Sequence, residues 1–175
     1  MSKPESINHL LNQAMLKLAN MPGSIFIGQN VEYDGNVMYN HLNGVPSQKR
    51  LEMPVAEELQ TGLAIGLAIQ GFVPVSIYPR FDFMLRAMDQ LVNHLDKFAQ
   101  MSCGQWNPKI IMRTRKGNRI PLDAGPQHTQ DHSAAFKLMF TNVDVYEIVN
   151  EEDIMPAYDA AISNCRSTLI VEKLC

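Results

Sequence analysis

The 175 residues include one tryptophan and three cysteines. Cys103, Cys165 and Cys175 are an odd set with no CxxC pair. That excludes a closed disulfide framework and a thiolate zinc site, and it fits free thiols in a reducing compartment, so a cytoplasmic location is expected. Charge of one sign is also missing. Fifteen basic side chains face eighteen acidic ones, for a net charge of −3. Neither sign forms a long run, which removes an electrostatic grip on nucleic acid or anionic lipid. The most apolar stretch, Gly62 to Tyr78, is broken by Gln70 and Pro74, and no basic segment followed by an apolar core opens the chain, so neither a membrane span nor export is expected. GxGxxG, GxxxxGK[ST] and GxSxG are all absent, leaving a nucleotide cradle or a serine-hydrolase elbow without support. What remains is a chain that is 46% hydrophobic, enough for one domain over 1–175 with small molecules or proteins as partners.

Apolar residues Ile7, Leu10, Leu11, Ala14 and Leu18 recur at helical spacing from Pro4 to Asn20, and Pro22-Gly23 stops the pattern. Ser24 to Gly28 reads as a short buried strand, and a long loop is expected over Gln29 to Arg50. Glu57 to Gln70 is framed as a helix by Pro54 and Gly71. Its small residues Gly62, Ala64, Gly66 and Ala68 predict that another backbone packs close to it, because each helical glycine costs about 1 kcal/mol against alanine. Beyond it the pattern predicts a strand over Phe72–Tyr78, a helix over Met84–Phe98 and a strand over Lys109–Arg113. A polar loop over Thr114–Gln127 precedes a helix over His132–Met139, a strand over Val143–Val149, a helix over Glu151–Ser163 and a strand over Thr168–Glu172. Alternating strands and helices predict an α/β three-layer sandwich with a mostly parallel central sheet. Ligands of such sheets gather beyond the carboxyl ends of the strands. His128 and His132 stand four apart, but no third ligand lies at a supporting spacing, so no metal site is assigned.

The run RLEMPVAEELQTGLAIGLAIQGFVPV, Arg50 to Val75, resembles the pyrimidine-binding, transketolase-like domain of thiamine-diphosphate enzymes, above all the beta subunit of 2-oxo acid dehydrogenases. There the matching run reads like R-x-x-D-T-P-I-S-E-x-G, with a glycine-rich helix behind it. Four more stretches match in order: GQNVEYDG from Gly28, RFDFMLRAMDQLVN from Arg80, KIIMR from Lys109 and QHTQDHSAAF from Gln127.

Taken residue by residue, the resemblance implies that Glu57 is the glutamate that activates the cofactor. Its carboxyl donates to a ring nitrogen of the aminopyrimidine and favours the imino tautomer, which removes the thiazolium proton. To donate, the carboxyl must keep its proton, and a desolvated pocket favours that state. By itself, Glu57 would read as an acid placed in a first helical turn by the macrodipole. Phe83 matches the aromatic residue packed on the pyrimidine. His128 matches the histidine near the substrate, where an imidazole orients or exchanges protons with a developing oxyanion. Arg113, Arg115, Lys116 and Arg119 precede His128, and Arg113 is the expected contact for an anionic substrate.

Two departures stand out. Where the beta subunits carry an acidic Gly-Glu-Asp/Glu-Val, this chain has Gly28-Gln29-Asn30-Val31, which puts any role of those acids in proton exchange in question. The Gly-Asp-Gly motif with a downstream asparagine, which holds the diphosphate and Mg²⁺, is missing. The implied function is therefore a pyrimidine-binding subunit of a split enzyme that decarboxylates a 2-oxo acid and transfers the acyl unit. A partner chain would supply the diphosphate-binding half, and the whole would be a self-paired or hetero-oligomeric assembly. Ketol transfer of the transketolase kind, or a non-catalytic module that kept the fold, are the alternatives.

Overall fold

Leu11, Ala14, Met15 and Leu18 are all buried, so helix α1 (Pro4–Ala19) lays one apolar stripe on a sheet. The computed structural model describes residues 4–34, 37–120 and 123–174. Six strands follow: β1 (Ser24–Gly28), β2 (Arg50–Glu52), β3 (Val73–Tyr78), β4 (Ile111–Arg115), β5 (Val143–Ile148) and β6 (Ser167–Glu172). Their order is β2-β1-β3-β4-β6-β5. Every neighbouring pair is parallel, so the expected three-layer α/β sandwich is present and its sheet is wholly parallel.

Strand periodicity sorts the core into two layers. Phe26, Ile77, Ile111 and Ile170 pack with Met15 of α1 and with Tyr158 of α6 (Ile154–Ser163) on one face. The adjacent residues Ile27, Tyr78, Met112 and Leu169 turn to the other face. There they meet Ala64 and Ile65 of α3 (Glu57–Ile69) and Phe136 of α5 (Ser133–Met139). Two further short helices, α2 (Val37–Asn40) and α4 (Phe98–Met101), lie in the connections.

Four local expectations change. Arg50, expected to end the long loop, instead opens an edge strand, Arg50–Glu52, that pairs with β1. Three residues are too few to show a period, so the partner strand makes this one. The Glu52 carboxylate then accepts the N–H groups of Asn30, Val31 and Glu32 at 2.6, 2.8 and 3.0 Å. This fastens the turn after β1, where Asn30 sits at φ 55°.

The single helix expected over Met84–Phe98 is instead a 3₁₀ stretch, Phe81–Ala87, followed by a π stretch, Asp89–Leu95. Its buried residues explain the change. Phe81, Met84 and Ala87 recur every three residues, then Leu91 and Leu95 every four, so a tight winding followed by a wide one keeps them all on the core side.

The strand expected over Lys109–Arg113 begins two residues later. The Lys109 ammonium is spent on the carbonyls of Ile162 (2.6 Å), in the last turn of α6, and Asn164 (2.5 Å), just beyond it. Among the described residues no backbone packs on Gly62 or Gly66 of α3, contrary to the expectation from their small size. A β-carbon at Gly62 would meet the Gln90 side chain at 3.6 Å, and one at Gly66 would meet no described atom within 4 Å.

Candidate active site

In a parallel sheet the helix that follows a strand starts at the strand's carboxyl edge. Helix α3, which follows β2, therefore delivers Glu57 in its first turn beside Gln29, the first residue after β1. The turn is locked to β3. Gln60 Nε2 donates to Ser76 Oγ (2.9 Å) and to the Ile77 carbonyl (3.1 Å). Thr61 Oγ1 donates to the Glu57 carbonyl at 2.8 Å and lies 2.6 Å from the Tyr78 hydroxyl. Glu57 is only 3% exposed. Gln29 Nε2 donates to its Oε1 at 3.1 Å, while its Oε2 is buried without a hydrogen-bond partner among the described residues.

This arrangement fixes where a proton would sit. Oε1 is already an acceptor, so a protonated Glu57 carries its hydrogen on Oε2. The Arg86 guanidinium, with its side chain 82% exposed, stands 3.8 Å from that atom, too far for a hydrogen bond. Glu57, Leu63, Arg86 and Gln90 help line a cleft of about 510 Å³.

The segment after β3 builds the second part of the site. Three consecutive side chains, Phe81, Asp82 and Phe83, engage the stretch from His128 to His132. The Phe83 and His128 rings meet edge to face at 5.5 Å, and so do Phe81 and His132 at 5.4 Å. Between them, Gln130 Nε2 donates to Asp82 Oδ1 at 2.9 Å, and His132 Nε2 lies 3.6 Å from the same oxygen. Asp82 Oδ2 and His132 Nε2 are buried without hydrogen-bond partners among the described residues. Phe83 and His128 are thus brought into contact; from the same 3₁₀ stretch Arg86 approaches Glu57, and neither Phe83 nor His128 lines the cleft at Glu57. Asp82, Gln130 and His132 are neighbours that the sequence reading did not assign to the site. The available signal was an acid between two aromatics just past a strand end. His128 and His132 do not share a helical face, because His128 is in a loop and His132 immediately precedes α5.

Arg113 does not belong to this site. It lies in the middle of β4, paired with Ile77 on one side and Ile170 on the other, and its side chain is fully buried. Strand alternation turns it with Ile111 toward α1 and α6, away from Glu57. There its Nε and Nη2 donate to Glu172 Oε1 (2.6 Å) and Oε2 (3.2 Å), and Nη2 also reaches His41 Nδ1 at 2.6 Å. Tyr158 donates its hydroxyl to Glu172 Oε1 at 2.9 Å. Expected as a substrate contact, Arg113 is a buried structural cation. The basic cluster splits accordingly: Arg115 lines a cavity beside α1, and Arg119 is exposed. Cys103 and Cys165 are free and exposed, and Cys175 lies outside the described residues. Among the described residues no helix is long and apolar enough to cross a membrane.

No family model matches the chain. Among curated proteins, it is 31% identical over 137 residues to the pyruvate dehydrogenase E1 component subunit beta-2, mitochondrial, of Oryza sativa subsp. japonica, covering 76% of this chain and 36% of that protein. It is 30% identical over 136 residues to the corresponding beta subunit of Saccharomyces cerevisiae, covering 75% and 37%. The chain spans little more than a third of the length of these two relatives. Among solved structures, a split gene transketolase described as an inactive beta4 tetramer superposes with a TM-score of 0.71 at 14% identity, over 94% of this chain and 50% of that one. Transketolase from Campylobacter jejuni gives 0.69 at 16% identity, over 95% and 24%. These structural likenesses speak to the fold.

Proposed function

Because the chain is a transketolase-like pyrimidine-binding domain homologous to pyruvate dehydrogenase E1 beta subunits, we propose that it is the pyrimidine-binding subunit of a thiamine-diphosphate-dependent enzyme. The reaction proposed is decarboxylation of a 2-oxo acid with transfer of the acyl unit. The observation that carries this reading is the Glu57 carboxyl, buried beside an open cleft with one oxygen held by Gln29 and the other without a hydrogen-bond partner among the described residues, approached only by the exposed Arg86 guanidinium at 3.8 Å. A buried polar atom of this kind is costly unless something else satisfies it, and a ring nitrogen of an aminopyrimidine is a fitting acceptor for a proton on Oε2.

The residues present fit the pyrimidine half of the cofactor. Glu57 would hold the ring by a hydrogen bond, and Phe83 would pack on it. Bound there, the cofactor supplies the carbon nucleophile that adds to the substrate ketone. His128, held edge-on by Phe83, would orient the substrate oxygen and exchange its proton. The diphosphate and Mg²⁺ are assigned to a partner chain that carries the Gly-Asp-Gly motif. A split transketolase among the structural neighbours supports that division. Helix α3 leaves Gly66 open and Leu59 exposed, a face suited to pairing with a second copy or with the partner. Free, exposed Cys103 and Cys165 suit a reducing compartment such as the cytoplasm.

Titration calorimetry tests the proposal. The purified chain should bind thiamine diphosphate with Mg²⁺ only weakly, and the chain isolated with its partner should bind tightly and release CO₂ from a 2-oxo acid. Tight Mg²⁺-dependent binding by this chain alone would overturn the division, and a complex that neither binds the cofactor nor turns over would overturn the assignment.

A further inference from the structure

The stretch from Gly125 to Ser133 carries His128 to the start of α5, and each of its ends has its own anchor. At the front, the Gly125 carbonyl accepts the His128 N–H and the Thr129 hydroxyl, both at 3.1 Å. At the back, Asp131 Oδ1 accepts the Ser133 N–H (3.0 Å) and hydroxyl (2.7 Å), and Asp131 Oδ2 pairs with Lys173 at 2.6 Å. These bonds shape the stretch and tie it to the end of β6. They do not set how it lies against Phe83, which belongs to the segment after β3.

Asp82 sets that relation. Its side chain is 6% exposed, and its Oδ1 accepts Gln130 Nε2 at 2.9 Å. Among the described residues this is the only hydrogen bond between the 3₁₀ stretch Phe81–Ala87 and residues 125–133. Gln130 lies two residues from His128 and two from His132, and Asp82 lies between Phe81 and Phe83, so one bond sets the offset of both ring pairs. The rings by themselves would not. Aromatic pairs tolerate centroid separations over roughly 4.5–7 Å, whereas a hydrogen bond confines its two heavy atoms to about 2.7–3.2 Å, and one that ends on a carboxylate is the stronger kind. His132 adds no second hold on Asp82, because its Nε2 stands 3.6 Å from Oδ1, beyond hydrogen-bonding range. The same 3₁₀ stretch brings Arg86 to 3.8 Å from Glu57 Oε2. Asp82 therefore ties the element that approaches the Glu57 carboxyl to the loop that carries His128.

We propose that Asp82 is a positioning residue, which by holding Gln130 keeps the His128 ring against Phe83. The consequence for turnover rests on the role given to His128 in the proposed function, whereas the ring placement is a property of this chain by itself.

Nuclear Overhauser spectroscopy on the chain with labelled histidine and phenylalanine rings tests the placement. The wild type should show a contact between the Phe83 and His128 rings. Asp82→Ala should abolish it and move the His128 ring signals toward those of the unfolded chain. Gln130→Ala should do the same, while Asp82→Asn, whose amide oxygen still accepts from Gln130, should keep the contact and the signals of the wild type. In the assembled enzyme, Asp82→Ala should lower kcat roughly tenfold to a hundredfold with KM and cofactor affinity little changed, the loss expected when a reacting group is displaced by up to about 1 Å. Asp82→Asn should recover most of that loss. An intact ring contact in a folded Asp82→Ala chain, or its absence in Asp82→Asn, would overturn the positioning role. Loss of the contact with wild-type turnover would uphold the positioning and remove His128 from the proposed reaction. If Asp82→Ala fails to fold, Gln130→Ala decides, because Gln130 is exposed and its truncation lets water reach Asp82.

Discussion

Gly117 packs so closely on His128 that a β-carbon built on it would stand 1.8 Å from the His128 carbonyl oxygen. No side chain fits there unless the His128 backbone moves. Gly117→Ala should therefore shift His128 off Phe83 and cost about 1–3 kcal/mol of stability through overpacking. In the assembled enzyme, turnover should fall on the order of a hundredfold, as when a reacting group is misplaced by about 1 Å, while cofactor affinity changes little. Steady-state kinetics and cofactor calorimetry on the same preparation check this, and unchanged turnover would remove His128 from the mechanism.

Glu57→Gln keeps the shape and the burial but ends proton donation from the carboxyl. Exchange of the thiazolium proton in the assembled enzyme, followed in deuterium oxide, should slow by about a hundredfold or more, the range lost with a positioned acid-base group. Assembly should survive. Exchange at the wild-type rate would leave Glu57 as an ordinary first-turn acid.

Arg113 is predicted to matter for stability and not for the substrate. Arg113→Ala leaves the Glu172 carboxylate buried and uncompensated, which typically costs about 3–5 kcal/mol. Urea unfolding should show that loss. Under conditions where the variant remains folded, its KM for a 2-oxo acid should match the wild type, and a raised KM with unchanged stability would restore the substrate role.

The His41 site predicts a pH dependence of stability. Burial, followed by the Arg113 cation, lowers its pKa from 6.5 to about 4. Between those values the unfolded chain takes up a proton that the folded chain refuses, so acid favours unfolding. The contribution, about 3 kcal/mol from the size of the shift, is present in full above pH 6.5, drains away as pH falls to about 4, and changes no further below that. His41→Gln should flatten the slope in this window. Denaturant midpoints measured across it check the prediction, and an equal slope in the variant would assign the effect to other groups.

Much of the architecture was legible in the sequence because it is local. Alternating runs such as SIFIG and the helical stripe of Leu11, Ala14 and Leu18 carry their own period, and the stretch around Glu57 is framed by Pro54 and Gly71. The order of the matched stretches was also enough to name Phe83 and His128, whose rings the fold brings together. Tertiary structure decided what period and order leave open. The edge strand β2 exists only because β1 is beside it. Starting β4 at Ile111 instead of Lys109 places Arg113 in mid-strand instead of at the sheet edge, on the face occupied by α1 and α6. There it meets Glu172, 59 residues away in sequence. Side-chain direction in a strand follows parity, but the depth of a residue in the sheet follows register, and register is set by pairing with distant strands. A local reading therefore places Glu57 at the start of its helix, but it cannot tell a buried structural cation from a substrate contact.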